Sequence, residues 1–254
     1  MKSTSINFEE VKNSFSHNEY KVLLTEIKPR LANFSKTPPD NFIILRHDVE
    51  FSIARALDIG IIEAKENVQS TFFFQVKSSA YNPFSTRNLE KIMQLKSLGH
   101  TIGLHFYMSH IVENDRDNLT KEFELQKSLF EAGFGLQCEV FSFHRPPRWV
   151  LEMRDDFFCG ALNAYGDSFF EFTDNPLAIK YIADSMHRWN YGHPMDALNY
   201  PKIQILVHPD EWTDFGERDS SAFFGKLIKE HHEEFIQNLD DETKHFSEHK
   251  ESYK

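Results

Sequence analysis

The chain has 254 residues, a net charge of −11 at neutral pH and a hydrophobic fraction of 40%. This length fits one large α/β domain, and the acidic balance lacks the basic footprint that nonspecific nucleic-acid binding requires. The beginning, MKSTSINFEEVKNSF, has no apolar core of the signal-peptide type, and no stretch approaches the ~20 apolar residues of a membrane span. The two cysteines, Cys138 and Cys159, fit free thiols in a reducing compartment. We therefore expect a cytoplasmic protein.

The first part of the chain is expected to be helical. Apolar residues recur at helical spacing between residues 8 and 34, which predicts one or two amphipathic helices. A loop with two prolines follows, and after it comes NFIILRHDVE, residues 41–50. Its apolar run predicts a buried strand of a parallel sheet, and this strand ends in several ionisable residues. Because such side chains are costly to bury without a partner or a metal, the strand end is a candidate site.

Strands and helices then alternate to the end of the chain. Ser52 is expected to cap a helix, and further strands are predicted over residues 70–76, 101–106, 140–147, 161–167, 179–185 and 203–209. Helices are predicted over residues 86–100, over 117–132 with Gly133 following, and over 220–239, before a charged tail that is expected to be disordered. This alternation indicates a parallel sheet, either open or closed into a barrel.

A regularity recurs at the carboxyl ends of the predicted strands. One strand after another ends in a residue that can bind a metal or transfer a proton: Asp48, His105, His144, Asp184, His208. In a parallel barrel these ends face the same rim, so the five side chains would converge on one pocket. Imidazole and carboxylate ligands without paired cysteines suit zinc, iron, cobalt or nickel in an open catalytic site.

Short motifs also follow one another along the chain: LRHDVE, TFFF, GHTIGLHFYMSH, SFHRPP, ADSMHRW and ILVHP. In order and spacing they resemble the polysaccharide deacetylase family (carbohydrate esterase family 4, the chitooligosaccharide-deacetylase homology domain) over about residues 41–212. The resemblance implies a distorted (β/α) barrel of about seven parallel strands in a single domain. We expect an N-terminal helical extension over residues 1–40, the barrel over 41–239 and a charged C-terminal tail over 240–254.

The resemblance also implies roles for individual residues. Where the family has two adjacent aspartates, a base and a metal ligand, this chain has His47 and Asp48. His47 would be the base and Asp48 a ligand, while Glu50 would be a spare carboxylate on the same strand face. His105 matches the first of the family's two histidines, but the position four residues later is Ser109.

The third ligand is therefore open. His144 and His110 are both candidates for it, and Glu50 is a further alternative. Arg145, which precedes a proline as in the family, would orient the base.

The last two motifs would supply the general acid. Asp184 would position His208, which would protonate the leaving group. Arg188 and Trp189 lie in the loop after Asp184, where they would contact an anionic or sugar ligand.

These roles imply a metal-dependent hydrolase that removes an acetyl group from an N-acetylated sugar or polysaccharide precursor. Zinc is the expected metal, with iron, nickel or cobalt as alternatives. For a cytoplasmic protein, a nucleotide- or lipid-linked precursor in polysaccharide biosynthesis is a better substrate than a cell-wall polymer. The alternatives are a metal-free carbohydrate-binding or scaffold protein of the same fold, and a metal-dependent amidase with a non-sugar substrate.

Overall fold

The computed structural model describes residues 12–108, 111–171, 179–217 and 219–253. Contacts divide the chain into two compact units, residues 1–216 and residues 217–254, and the whole sheet belongs to the first unit. None of the helices within the described ranges combines the length and the apolar character that a membrane crossing needs. The domain boundaries expected at residues 40 and 239 stay a prediction.

The first unit alternates strands and helices in the predicted order. The strands are β1 (Phe42–Val49), β2 (Thr71–Phe74), β3 (Thr101–Tyr107), β4 (Val140–His144), β5 (Phe157–Phe158), β6 (Ala161–Asn163), β7 (Ile179–Ala183) and β8 (Lys202–Val207). The helices are α1 (His17–Ile27), α2 (Ile53–Lys65), α3 (Thr86–Ser97), α4 (Arg116–Phe134) and the short α5 (Arg148–Leu151). As expected, the hydroxyl of Ser52 accepts a hydrogen bond from the backbone of Arg55 and caps α2.

The strands within the described ranges form one sheet in the order β5-β6-β4-β3-β2-β1-β8-β7. Seven of them pair in parallel, and β5 is antiparallel to β6, which confirms the expected number of parallel strands. Four strands separate β8 from β6 in this order. Nevertheless, the amide of Gln204 in β8 donates to the carbonyl of Ala164, just after β6, at 2.9 Å. The sheet is therefore strongly curled, as in the expected distorted barrel.

Strand β1 is buried on both faces along its whole length. Phe42 and Ile44 belong to a small apolar cluster inside the curl. Ile43, Leu45 and Val49 belong to the main core on the outer face. Because side chains alternate along a strand, the ionisable residues that follow must alternate between the two faces as well.

The outer face of β1 contains a buried polar cluster around the carboxylate of Glu63 in α2. One oxygen of this carboxylate accepts hydrogen bonds from the hydroxyl of Tyr20 and from His47 Nε2, the latter at 2.7 Å. The other oxygen accepts a hydrogen bond from Ser70 Oγ at 2.6 Å and lies 3.4 Å from His100 Nδ1. Burial acts to raise the pKa of Glu63, but the charge and hydrogen bond of His47 outweigh it and lower that pKa. The cluster ties β1 to both α1 and α2.

One sequence-based expectation is wrong at a helix end. Helix α4 does not end at Gly133 but runs to Phe134, and Gly135, with a φ of 65°, caps it. Gly133 lies inside the helix, and its role there is packing: a Cβ at this position would come within 2.1 Å of the Phe84 ring.

The second unit contains helix α6 (Ser220–Glu242) and two 3-10 turns at Phe246–Glu248 and Lys250–Tyr253. Ser247 and Lys250 both donate hydrogen bonds to the carboxylate of Asp240. The tail therefore forms two 3-10 turns, where the sequence predicted a frayed or disordered end.

We expect Glu63→Gln to lower the free energy of unfolding by about 3–5 kcal/mol, because the change removes the charge that its buried donors share. Urea unfolding at pH 7 measures this loss. Glu90→Gln, at an exposed position, is the matched control and should change the unfolding free energy by less than about 0.5 kcal/mol. Equal unfolding curves for the two variants would contradict the importance of this cluster.

Candidate metal centre

A cavity of about 610 Å³ opens at the carboxyl ends of the parallel strands. Its size lies in the usual range for small-molecule sites, and parallel α/β folds build such sites at this end of the sheet. The lining combines ionisable residues with aromatic ones: Asp48, Glu50, His105, His208, Glu211, Phe143, Tyr165, Tyr181 and Tyr191.

Three residues at this rim offer ligand atoms to one point. These atoms, from Glu50, His105 and His144, all lie within 4.8 Å of one another. Glu50 Oε1 is 2.9 Å from His144 Nδ1 and 3.6 Å from His105 Nε2, and the two nitrogens are 3.1 Å apart. Ligands of a tetrahedral zinc ion, at ~2.0–2.1 Å from the metal, are separated by roughly 3.3 Å. The three residues therefore fit a divalent cation in both chemistry and spacing.

The other nitrogen of His105 is engaged behind this group. His105 Nδ1 lies 2.8 Å from Ser142 Oγ, and Ser142 Oγ lies 3.1 Å from Asp48 Oδ1. Since Asp48 accepts from the hydroxyl, Ser142 in turn accepts from the N–H of His105. When the ring of His105 is neutral, this arrangement leaves Nε2 without a proton and directed towards Glu50 and His144, as a metal ligand requires. When the ring is protonated, Nε2 faces Glu50 as a donor instead.

Asp48 lies one layer deeper than Glu50 on the inner face of β1. Its side chain is only 3% exposed, and its Oδ2 accepts a hydrogen bond from Arg46 Nη2 at 3.1 Å. The same Nη2 also donates to the hydroxyl of Tyr165 at 2.7 Å. Asp48 Oδ2 is 3.8 Å from His105 Nδ1, so the carboxylate lies beside the ligand group.

His208 and Asp184 form the opposite side of the site. His208 Nδ1 donates to Asp184 Oδ1 at 2.7 Å, and Trp212 Nε1 donates to Asp184 Oδ2 at 2.8 Å. His208 Nε2 is 4.0 Å from Glu50 Oε1 and therefore faces the ligand group. Burial acts to lower the pKa of His208, but the Asp184 carboxylate outweighs it and raises that pKa to about 10.

The loop after β8 fixes the position of Glu50. The carboxylate of Asp210 in this loop accepts backbone hydrogen bonds from Glu50, Phe51 and Ser52, where β1 turns into α2. Burial raises the pKa of Asp210 to about 6. Burial also acts to raise the pKa of Glu50, but hydrogen bonds from His105 and His144 lower it.

The structure does not bring every expected residue to the site. His47 points to the outer face of β1, where it stacks on Phe72 with ring centroids 4.2 Å apart. His47 cannot act as the base because the strand separates its ring from the cavity. His110, the alternative ligand, lies outside the described residues.

The three remaining candidates lie at or outside the rim. Arg145 lines the cavity opening with an exposed side chain and a φ of 50°. Arg188 is also exposed, but it is not among the residues that line the cavity. Trp189 packs at 6.0 Å from Trp212, in the core outside the cavity.

Sequence reasoning missed several residues that support the site. Arg46 and Ser142 each precede a predicted site residue by two positions, which puts them on the same strand face. This spacing is a signal that the sequence contains. The sequence contains no comparable signal for Tyr165, which reaches the cavity from a turn after β6, or for Glu211, which reaches it from the 3-10 turn Pro209–Glu211 after β8. Burial raises the pKa of Glu211, whose Oε2 is 3.6 Å from His187 Nδ1.

No protein-family model matches the sequence, and no curated protein matches it. The fold is similar to that of a CE4-family pseudoenzyme from Bacillus anthracis, with a TM-score of 0.45 and 17% sequence identity over 78% of this chain. The chain spans 65% of the length of that pseudoenzyme.

Two structures of enzymes are also similar to this fold. One is the catalytic domain of a peptidoglycan N-acetylglucosamine deacetylase from Eubacterium rectale (TM-score 0.44, 14% identity, 80% of this chain and 89% of that chain). The other is a family 4 acetyl xylan esterase from Clostridium thermocellum in complex with a cobalt ion (TM-score 0.37, 15% identity, 66% and 73%). Similarity at this level transfers neither activity nor ligands to this chain.

The raised pKa of His208 predicts a pH-dependent stability in protein treated with a chelator. The pKa of a histidine is ~6.5 in the unfolded chain, and that of His208 is about 10 in the fold. The protonated ring therefore stabilises the fold fully below ~pH 6.5. That contribution is lost as the pH rises towards 10. We expect unfolding free energies from urea titrations to fall between pH 7 and pH 9 by up to about 1.4 kcal/mol per pH unit.

His208→Gln should flatten this decline, whereas His249→Gln, at an exposed position, should preserve it. A decline that is as steep in His208→Gln as in the wild type would show that another group causes it.

Proposed function

We propose that the protein is a metal-dependent hydrolase of the polysaccharide deacetylase type, which removes an acetyl group from an N-acetylated sugar. One observation carries the proposal: Glu50, His105 and His144 converge on one point, with Asp48 3.8 Å from His105 and His208 4.0 Å from Glu50. A divalent metal, a base and an acid are the parts that amide hydrolysis at neutral pH requires. A nucleotide- or lipid-linked sugar precursor in the cytoplasm is the proposed substrate.

Glu50, His105 and His144 would hold the cation. A divalent ion bound there would polarise the acyl carbonyl and lower the pKa of a water molecule. Ser142 would keep His105 in the tautomer that metal binding needs, because the Ser142 hydroxyl accepts a hydrogen bond from the Nδ1–H of His105 at 2.8 Å.

Asp48 is the proposed base. This assignment differs from the roles expected from the sequence, where His47 is the base, Asp48 is a ligand and Glu50 is a spare carboxylate. Glu50 lies nearer to both histidines' ligand nitrogens, whereas Asp48 is held from behind by Arg46 and Ser142. A carboxylate that is fixed beside the ligands but not among them is placed to take a proton from the attacking water.

His208 is the proposed general acid. Its Nδ1–H donates to Asp184, so Nε2 is the nitrogen that faces the ligand group. A proton on Nε2 would pass to the leaving amine, and Asp184 would stabilise the charged ring before the transfer. Trp212 keeps Asp184 in place through its second oxygen.

The main alternative is a metal-free carbohydrate-binding or scaffold protein. His144 Nδ1 lies 2.9 Å from Glu50 Oε1 and 3.1 Å from His105 Nε2, so these side chains also fit a hydrogen-bonded cluster without a cation. Metal content separates this possibility from the hydrolase.

We expect wild-type protein purified without chelator to contain about one divalent ion per chain by elemental analysis. Glu50→Gln should lose this metal because it removes the only carboxylate of the ligand group within the described residues. Asp48→Asn should keep the metal but slow acetate release from N-acetylated sugars by ~100-fold or more, leaving a measurable residual rate. Glu139→Gln, at an exposed position, is the control for loss of a carboxylate and should keep both properties.

Wild-type protein that stays free of metal after reconstitution with zinc, iron, nickel and cobalt would favour the scaffold. Metal retained by Glu50→Gln but lost by Asp48→Asn would restore the roles that the sequence resemblance implies.

His208→Ala should keep its metal and slow acetate release by ~100-fold or more, because the leaving amine would depart without a positioned acid. Steady-state kinetics and elemental analysis of the same preparation check both parts. Turnover at the wild-type rate would exclude His208 as the acid.

A further inference from the structure

Arg46 is a cation buried directly behind the proposed base. Its side chain is 0% exposed, and that of Asp48 is 3% exposed. Nη2 bridges Asp48 Oδ2 at 3.1 Å and the Tyr165 hydroxyl at 2.7 Å. The guanidinium carbon also lies 4.5 Å from the centroid of the Tyr165 ring and 5.9 Å from that of Phe73. Two aromatic faces and two hydrogen bonds thus define the position of this guanidinium.

Arg145, which the sequence resemblance assigns to the same task, is placed differently. It follows the carboxyl end of β4, its side chain is exposed, and its left-handed backbone directs it to the cavity rim. The hydrogen bonds of the Asp48 carboxylate go to Arg46 and Ser142 instead.

The two partners of Asp48 take different oxygens. Arg46 donates to Oδ2 and Ser142 donates to Oδ1, so the plane of the carboxylate is fixed from the closed side of the cavity. The remaining lone pairs of both oxygens are directed away from these donors.

On the basis of the proposed function, we propose that Arg46, rather than Arg145, is the positioning residue that orients Asp48 for proton transfer. Arg46 acts through Asp48 and touches neither the substrate nor the metal ligands. Its loss should therefore lower kcat while KM and metal content stay the same. Burial acts to lower the pKa of Arg46, but the charge of Asp48 outweighs it and raises that pKa, so the cation is permanent.

Arg46→Lys is the decisive variant because it preserves the buried charge, but the lysine nitrogen ends one bond short of Nη2, the atom that donates to both Asp48 and Tyr165. We expect kcat for acetate release to fall ~10-fold or more, with KM within ~2-fold and an unchanged metal content. Arg148→Lys, at a side chain that is 93% exposed, is the matched control and should equal the wild type.

A double-mutant cycle tests whether Arg46 acts through Asp48. In the Asp48→Asn background, Arg46→Lys should cause no further loss of kcat, because the group that it orients is already gone. The positioning role of Arg46 would be overturned, while the proposed function would stand, if the kcat losses of the two single variants multiply in the double variant. An unchanged kcat in Arg46→Lys would have the same consequence. A wild-type protein that binds metal but has no turnover would instead overturn the proposed function, and the positioning role with it.

Discussion

Strand β1 is buried on both of its faces, and this constraint decides what each of its ionisable residues can do. Arg46 and Asp48 share the inner face, and Glu50 continues in the same direction past the end of the strand. His47, between them, faces α1 and α2 and pairs with Glu63 at 2.7 Å. Had the register slipped by one residue, a histidine would face the cavity and the carboxylates would lie among apolar side chains.

The buried charges of the cavity are arranged in pairs. Asp48 lies against Arg46, and Asp184 lies against His208. Among the described residues, the third carboxylate, Glu50, has the imidazoles of His105 and His144 beside it at less than 4 Å. The Nε2 atom of His208, whose ring is paired with Asp184, lies at 4.0 Å. Two neutral imidazoles add no positive charge to this partly buried site, and the ring of His208 is already paired with Asp184, whereas a divalent cation would balance Glu50 and use both nitrogens as ligands. The pattern of compensation thus favours metal binding at Glu50 rather than at Asp48.

The seven parallel strands could be predicted from the sequence because each is a short apolar run that ends in a turn or a polar residue. The parallel topology then implied that the carboxyl ends of the strands converge. This alone was enough to predict that His105, His208 and Asp184 lie close to one another. The role proposed for Asp48 could not be predicted in the same way, because the resemblance equated His47 with a family aspartate by sequence position, although a strand puts adjacent residues on opposite faces. The choice of His144 as third ligand depends on distances of about 3 Å between two strand ends, which no sequence pattern contains.

Alternation along β1 also explains why the departures from the family pattern belong together. If only every second residue of this strand can reach the cavity, a base at position 48 requires its second carboxylate at position 50 and admits a cation behind it at position 46. A ligand at Glu50 is displaced towards the rim, where β4 ends, and His144 lies there at 2.9 Å. In the proposed metal site, a histidine at position 109 is not needed, since His144 of β4 would supply the third ligand. The cation at position 46 and the carboxylates at positions 48 and 50 thus depend on one another, because the alternation of side chains along β1 puts all three on the face of the cavity.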